Sequence, residues 1–334
     1  MKLWHKLGAS VVLTSFAAVA APQFALAQNV IKIDGSSTVF PIAEAVAEEF
    51  QISKKGKVRV TVGIAGTGGG FKRFCRGETD ISYASRPILK EEMQACAAAG
   101  VKYMELPVAF DALTVVVNPE NKWVKSLTTA DLKKMWEPSA QGRVTKWNQV
   151  RSDWPAQQLM LFGPGADSGT FDYFTEAVNG KAKASRGDYT ASEDDNVLVQ
   201  GVEHNKNAIG YFGYAYYIAH KEKMRAVPII NGQGKEVLPS IQAVNDGTYE
   251  PLSRPLFIYV RENAAARAEV KEFIQFYLTE GAALAKEVGY VPLPAEAYKV
   301  ALKHFAERKL GTVFGGVPEV GVTIENLLAR EGKL

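Results

Sequence analysis

Three segments of this chain place hydroxyl and glycine residues where they can hold an anion. They are Asp34-Gly35-Ser36-Ser37-Thr38-Val39-Phe40-Pro41, Ala65-Gly66-Thr67-Gly68-Gly69-Gly70-Phe71 and Gly163-Pro164-Gly165-Ala166-Asp167-Ser168-Gly169-Thr170-Phe171. Each follows an apolar, strand-like run and precedes a helical pattern. The first N–H groups of a helix lack an intrahelical partner and carry about half a positive charge. Glycine lets the backbone approach an anion closely, and Ser and Thr hydroxyls rotate to meet an oxygen. Three such starts converging would offer a tetrahedral oxyanion many donors without a full positive charge. The competing reading is plain capping, since Ser and Thr are also common helix caps. Their position at the carboxyl ends of strands favours a ligand, because α/β proteins bind ligands there.

A fourth element is Arg86, in Ala84-Ser85-Arg86-Pro87 after the strand-like Ile81-Ser82-Tyr83. Arginine presents a planar fork suited to two oxygens of one anion; the alternative is a surface residue in a turn. Glu193-Asp194-Asp195-Asn196 precedes a helix and reads as a cap with carboxylates favoured by the helix dipole, rather than a catalytic pair. There is no GxSxG, and His204, His220 and His304 are scattered, which argues against nucleophilic catalysis and against a metal cluster. The glycine-rich loop is not a dinucleotide fingerprint, because Phe71 occupies the last glycine position and no P-loop lysine follows. No catalytic residue, metal or cofactor is therefore expected.

Strand-like and helical stretches alternate along the chain, the pattern of an α/β architecture. Strands are expected over 30–33, 58–64, 113–117, 159–162 and 256–260. Helices are expected over 41–50, 71–76, 171–178, 196–202 and 264–280. Residues 135–158 read as an elaborated loop region. The last 35 residues are weakly patterned, with 315–322 as loop or strand.

The amino terminus carries Lys2 and Lys6, an apolar run over 11–21 too short to span a bilayer, and Ala25-Leu26-Ala27 as a signal-peptidase site. A cleaved signal peptide over 1–27 and a periplasmic protein starting near Gln28 are expected, rather than a membrane anchor. The 334-residue chain has a formal charge of +3. Loss of Lys2 and Lys6 brings the mature chain to +1, which gives no argument for nucleic acid. About 300 residues suffice for two lobes of roughly 150 each. In an oxidising compartment Cys75 and Cys96 read as a disulfide rather than two buried thiols.

At these loops the sequence resembles the PstS family, the phosphate-binding proteins of bacterial phosphate ABC transporters, and within it the branch that includes the cyanobacterial SphX proteins. Further family-like stretches are Ser192-Glu-Asp-Asp-Asn-Val-Leu-Val-Gln-Gly-Val and Ser253-Arg-Pro-Leu-Phe-Ile-Tyr-Val. The resemblance spans essentially the whole mature chain. It implies a type II periplasmic binding protein, with one lobe at 28–112 plus 252–334 and the other at 113–251. The two are joined by a two-segment hinge with the ligand in the cleft. It implies phosphate contacts from Ser36, Ser37, Thr38, Val39, Thr67, Ser168, Gly169 and Thr170; Arg86 is expected as a further ligand from its own position after a strand. It also implies delivery of phosphate to inner-membrane permease subunits; a monomer is expected.

Two departures bear on selectivity. The family prototype's proton-accepting Asp aligns with Arg86, and its Arg before Ser-Gly-Thr aligns with Pro164. Asp34 and Asp167 are candidate replacements for the acceptor. The rival readings are a binding protein for sulfate, arsenate or molybdate, a secreted phosphoester hydrolase, and a phosphate sensor.

Overall fold

The computed structural model describes residues 29–317 and 319–333; the expected signal peptide over 1–27 lies outside them. The first part of the chain runs β1 (Asn29–Gly35), α1 (Phe40–Ser53), β2 (Val58–Ile64), α2 (Gly66–Cys75), β3 (Ile81–Ala84), α3 (Lys90–Ala98) and the long β4 (Tyr103–Val117). The middle supplies α4 (Thr129–Trp136), β5 (Met160–Pro164), α5 (Gly169–Asn179), β6 (Thr190–Ser192), α6 (Asp195–Glu203), β7 (Ala208–Gly213) and α7 (Tyr214–Ala219). Short β8 (Arg225–Ala226), β9 (Ile229–Ile230), β10 (Glu236–Val237) and α8 (Ile241–Asn245) follow. The last part runs β11 (Ser253–Arg261), α9 (Ala268–Glu287), β12 (Val291–Pro292), α10 (Ala295–Glu307) and α11 (Ile324–Glu331).

One curled sheet carries the strands in the order β2-β1-β3-β11-β4-β7-β5-β6, with β8 and β12 also paired to β4. β1 lies parallel to β2 and β3, and β5 lies parallel to β6 and β7. β4 is the element common to both halves. Its first part pairs antiparallel with β11, from Arg261↔Tyr103 to Ser253↔Ala112. From Leu113 onward it pairs instead with β7, from Leu113↔Gly213 to Val117↔Ile209. All of β4 is buried, as expected of an apolar strand covered on both faces.

The helices pack by their apolar stripes. In α1, Ile42, Val46 and Phe50 are fully buried at four-residue spacing, and Phe50 meets Phe273 and Phe276 of α9 edge-on. Pro41 opens α1, where its missing N–H costs nothing. A disulfide joins Cys75 at the end of α2 to Cys96 of α3.

Several elements differ from the sequence expectation. α2 begins at Gly66, five residues before the expected start. Its glycines form the first helical turns because a side chain would not fit: a Cβ on Gly70 would lie 2.6 Å from the Gly35 Cα. β4 begins ten residues before 113, and β11 three before 256. The last 35 residues hold the end of α10 and all of α11, and no strand is assigned over the described residues of 315–322.

Candidate functional site

The three hydroxyl-rich loops leave the carboxyl ends of β1, β2 and β5 and enter α1, α2 and α5. Each parallel strand therefore delivers a helix start to one edge of the sheet. At the first, Gly35 takes a φ of +155° against Tyr83, where a Cβ would collide with the Tyr83 carbonyl. Ser36 then donates its N–H to the Tyr83 oxygen at 3.0 Å and its hydroxyl to Ser85 Oγ at 2.9 Å. Two tyrosines pin the loop from behind: Tyr216 donates to the Ser37 carbonyl at 2.9 Å, and Tyr290 to the Thr38 carbonyl. Val39 is fully buried as the residue preceding α1.

At the second loop, Thr67 Oγ1 accepts the Ser85 N–H at 3.2 Å and lies 3.3 Å from the Ser85 hydroxyl. At the third, Ser168 caps α5 by accepting the Thr170 N–H at 3.1 Å. This is the capping role that sequence reading set beside ligand binding. The third loop touches the other two directly. Thr170 Oγ1 lies 2.8 Å from Thr38 Oγ1, and Gly68 donates its N–H to the Asp167 carbonyl at 2.7 Å. Gly169 permits this approach, because a Cβ there would stand 2.4 Å from Thr67 Oγ1 and 2.6 Å from Ser85 Oγ. Ser36, Ser37, Thr38, Thr67, Ser85, Ser168 and Thr170 are all buried.

The guanidinium at the centre of these hydroxyls belongs to Arg254 of β11, not to Arg86. Arg254 is 1% exposed. It donates to Thr170 Oγ1 at 2.8 Å, Thr38 Oγ1 at 3.3 Å, the Gly169 carbonyl at 3.2 Å and Asp111 Oδ2 at 3.1 Å. Asp111 of β4 holds the fork in place, and its other oxygen accepts the Tyr214 N–H at 3.1 Å. Sequence reading missed both residues. Their signal was a charged residue inside a largely apolar, buried strand, Asp111 in β4 and Arg254 in β11, which is costly unless paired or used.

Arg86 is also buried, but its fork is engaged within the protein. It donates to Asp172 Oδ2 at 2.7 Å, to both oxygens of Glu92 at 2.8 Å, and to the Pro87 carbonyl at 3.0 Å. Burial opposes its charge, yet Glu92 and Asp172 outweigh that and raise its pKa. With four hydrogen bonds made, Arg86 is a strut between α3 and α5, and the fork that lies among the hydroxyls is that of Arg254.

Both expected proton acceptors face cations. Asp34 is buried against β2 and is paired with Arg73. Asp167 sits at the rim, 43% exposed in its side chain, with Lys72 at 2.6 Å. Within the acidic run, Asp194 is the cap of α6, accepting the Asn196 N–H at 2.9 Å. Asp195 is fully buried, and neither of its carboxylate oxygens has a hydrogen-bond donor. Burial pushes its pKa up to about 7, while Arg254 and then the Ser37 hydroxyl pull it down and Asp111 pushes it up.

Known proteins share this chain's pattern. Residues 22–280 match the PBP superfamily domain. The protein SphX of Synechococcus elongatus is 55% identical over 97% of this chain and 96% of its own. The phosphate-binding protein PstS of Staphylococcus haemolyticus is 42% identical over 81% of this chain and 84% of its own. Among solved structures, a putative phosphate ABC transporter substrate-binding protein with bound phosphate from Clostridium perfringens superposes with a TM-score of 0.67 at 28% identity. The match covers 80% of this chain and 100% of that one.

Proposed function

The chain belongs to the PstS–SphX family of phosphate-binding proteins, with their type II periplasmic binding protein fold, and on that premise we propose that it captures inorganic phosphate in the periplasm and delivers it to an ABC permease. The leader over 1–27 exports it, and it works as a monomer. One observation carries the reading. Thr38, Thr67 and Thr170 from three helix starts, with the Arg254 fork among them, converge in a buried cluster drawn from both ends of the sheet.

Two lobes divide the work: residues 28–112 with 252–334, and residues 113–251. The change of β4 partner between Ala112 and Leu113, and the hydrogen bond from Leu113 N–H to the Leu252 carbonyl, support that division. The anion docks on Ser36, Ser37, Thr38, Val39, Thr67 and Arg254 of one lobe. Hinge closure then brings Ser168, Gly169 and Thr170 of the other. A ligand favours closure only through contacts made from both sides. Closed geometry of this kind is already present in the Thr38–Thr170 contact at 2.8 Å.

The protein binds and releases rather than reacts. A hydrolase would need a base beside a nucleophile. His204 and His220 instead contact carbonyls of their own helices through Nδ1, and His304 faces Glu331. Calorimetry tests the proposal. Phosphate should bind with excess sulfate present, and Thr170→Val should weaken it by about 1.5–3 kcal/mol, the range for a hydrogen bond to a charged group. Turnover of a chromogenic phosphoester, abolished in a Ser168→Ala variant, would overturn it in favour of hydrolysis.

A further inference from the structure

Arg86 and Asp172 meet across the boundary between the two proposed lobes. Arg86 follows β3, among residues 28–112, and Asp172 stands in the first turn of α5, among residues 113–251. The two Nη groups of Arg86 are held on its own side by Glu92 at 2.8 Å, and its Nε–H reaches across to Asp172 Oδ2 at 2.7 Å. Asp172 Oδ1 has no donor, so among the described residues Arg86 is the one hydrogen-bond partner of that carboxylate. Two further ion pairs join the same two stretches, Lys72–Asp167 at 2.6 Å and Lys183–Glu91 at 3.8 Å. Both are largely exposed, where such a pair contributes little. Arg86 and Asp172 are 4% and 2% exposed in their side chains, so of the three pairs only theirs is withdrawn from water.

We propose that Arg86 and Asp172 are positioning residues whose hydrogen bond forms as the lobes close and sets how long the closed form keeps its anion. The inference rests on the capture-by-closure reading above. Asp172 lies just beyond Thr170 on α5, so fixing it fixes the helix start that carries Ser168, Gly169 and Thr170. With the lobes apart, Arg86 would keep Glu92, while its Nε–H and the Asp172 carboxylate would each be served by water. Closing exchanges that water for the bond between them, a modest net gain. Leaving one partner unmet in the closed form is the larger effect. Removing the carboxylate therefore penalises the closed form and not the open one, and a conformational equilibrium moves only by such a difference. The penalty falls on release, because the anion first meets the open form, before the bond exists.

The test uses the full exported chain with radiolabelled phosphate. Rapid filtration follows uptake on mixing and release into excess unlabelled phosphate, and small-angle X-ray scattering follows closure. Asp172→Ala, which leaves the Arg86 Nε–H buried without an acceptor, should speed release by about fivefold or more and leave uptake within roughly twofold. Asp172→Asn keeps an acceptor oxygen and should bring release back to near the wild-type rate, a rescue that a merely structural carboxylate would not give. Asp172→Leu gives the alanine readout if that variant does not fold, with folding judged by thermal melting without anion. Lys183→Gln, which breaks an exposed pair across the same boundary, should change neither rate by more than roughly twofold. An acceptor-less variant that releases phosphate as wild type does overturns the assignment, as does an asparagine variant as fast as the alanine one. A wild type that binds phosphate without contracting in solution defeats closure, and one that binds no phosphate defeats the capture reading itself.

Discussion

Two buried arginines in this protein do different work, and substitution should separate them. Arg86 is tied to Glu92 and Asp172, both largely withdrawn from water. Arg86→Ala leaves two buried carboxylates without their cation, and loss of one partner from a buried pair costs about 3–5 kcal/mol. Urea unfolding should show that loss as a lower midpoint with an unchanged slope. Arg254→Lys keeps the charge but not the fork that serves Asp111, Thr38 and Thr170 together. It should weaken phosphate roughly tenfold to a hundredfold, equivalent to the 1.5–3 kcal/mol of a charge-assisted contact, with a smaller effect on the urea midpoint. The hydroxyls of this site were legible in the sequence because hydroxyl-rich helix starts after strands are local patterns. Arg254 and Asp111 were not, because what marks them is a pairing 143 residues apart in the chain. Arg86 misled for the same reason. A lone arginine in a turn after a strand reads as a fork awaiting an anion, until Asp172 is brought to it from 86 residues away.

At the level of elements, the approach of α5 to α2 decides whether the hydroxyls meet. Gly169 opens α5 with no Cβ, and the space a Cβ would fill is occupied by Thr67 Oγ1 and Ser85 Oγ. Gly169→Ala should hold the two helix starts apart. Phosphate affinity should fall more than tenfold by calorimetry. The melting temperature of the anion-free chain should hold or fall, since the added Cβ displaces Thr67 Oγ1 and Ser85 Oγ from the packed arrangement. A variant that binds phosphate as wild type does would show that α5 can approach by another path. The same crowding explains where element boundaries were misread. Three consecutive glycines signal a loop by propensity, but α2 is helical from Gly66 because Gly70 lies against Gly35 of β1. Local preference yields there to tertiary contact. By contrast β2, whose apolar alternation is uninterrupted, spans the expected residues 58–64. α11 escaped notice because its apolar stripe is short, with Leu327 fully buried and Leu328 partly so.

At the level of the whole molecule, buried acids give stability a slope against pH. α11 docks with Glu331 buried, its carboxylate 3.1 Å from His304 Nδ1 of α10 and near enough to Glu105 of β4 to feel its charge. Burial first, and then Glu105, push Glu331 up to about 8, and burial pushes Glu105 up to about 7. Burial lowers the pKa of His304, with Lys309 acting the same way, so the contact joins two neutral groups. An acid whose folded pKa is raised binds its proton more tightly in the folded state. Its stabilisation is complete below the unfolded value near 4.3 and is lost as pH climbs to the folded one. His304 has the opposite sign, but its effect ends above the ordinary imidazole value of about 6.5. From pH 6.5 to 8 the Glu331 contribution therefore dominates this cluster. Each proton released on unfolding lowers stability by about 1.4 kcal/mol per pH unit, or about 2 kcal/mol across that interval. The urea midpoint of the anion-free protein should fall between pH 6.5 and 8.5. In Glu331→Gln, which stays neutral throughout, the fall should be distinctly shallower, and an equal fall would place the titrating acid elsewhere. The cluster lies at the Glu105–Val313 contact, away from Arg254 and the hydroxyls. Phosphate binding at pH 7 should therefore be the same in Glu331→Gln as in wild type, so that anion capture and the docking of the carboxyl-terminal helix report separately.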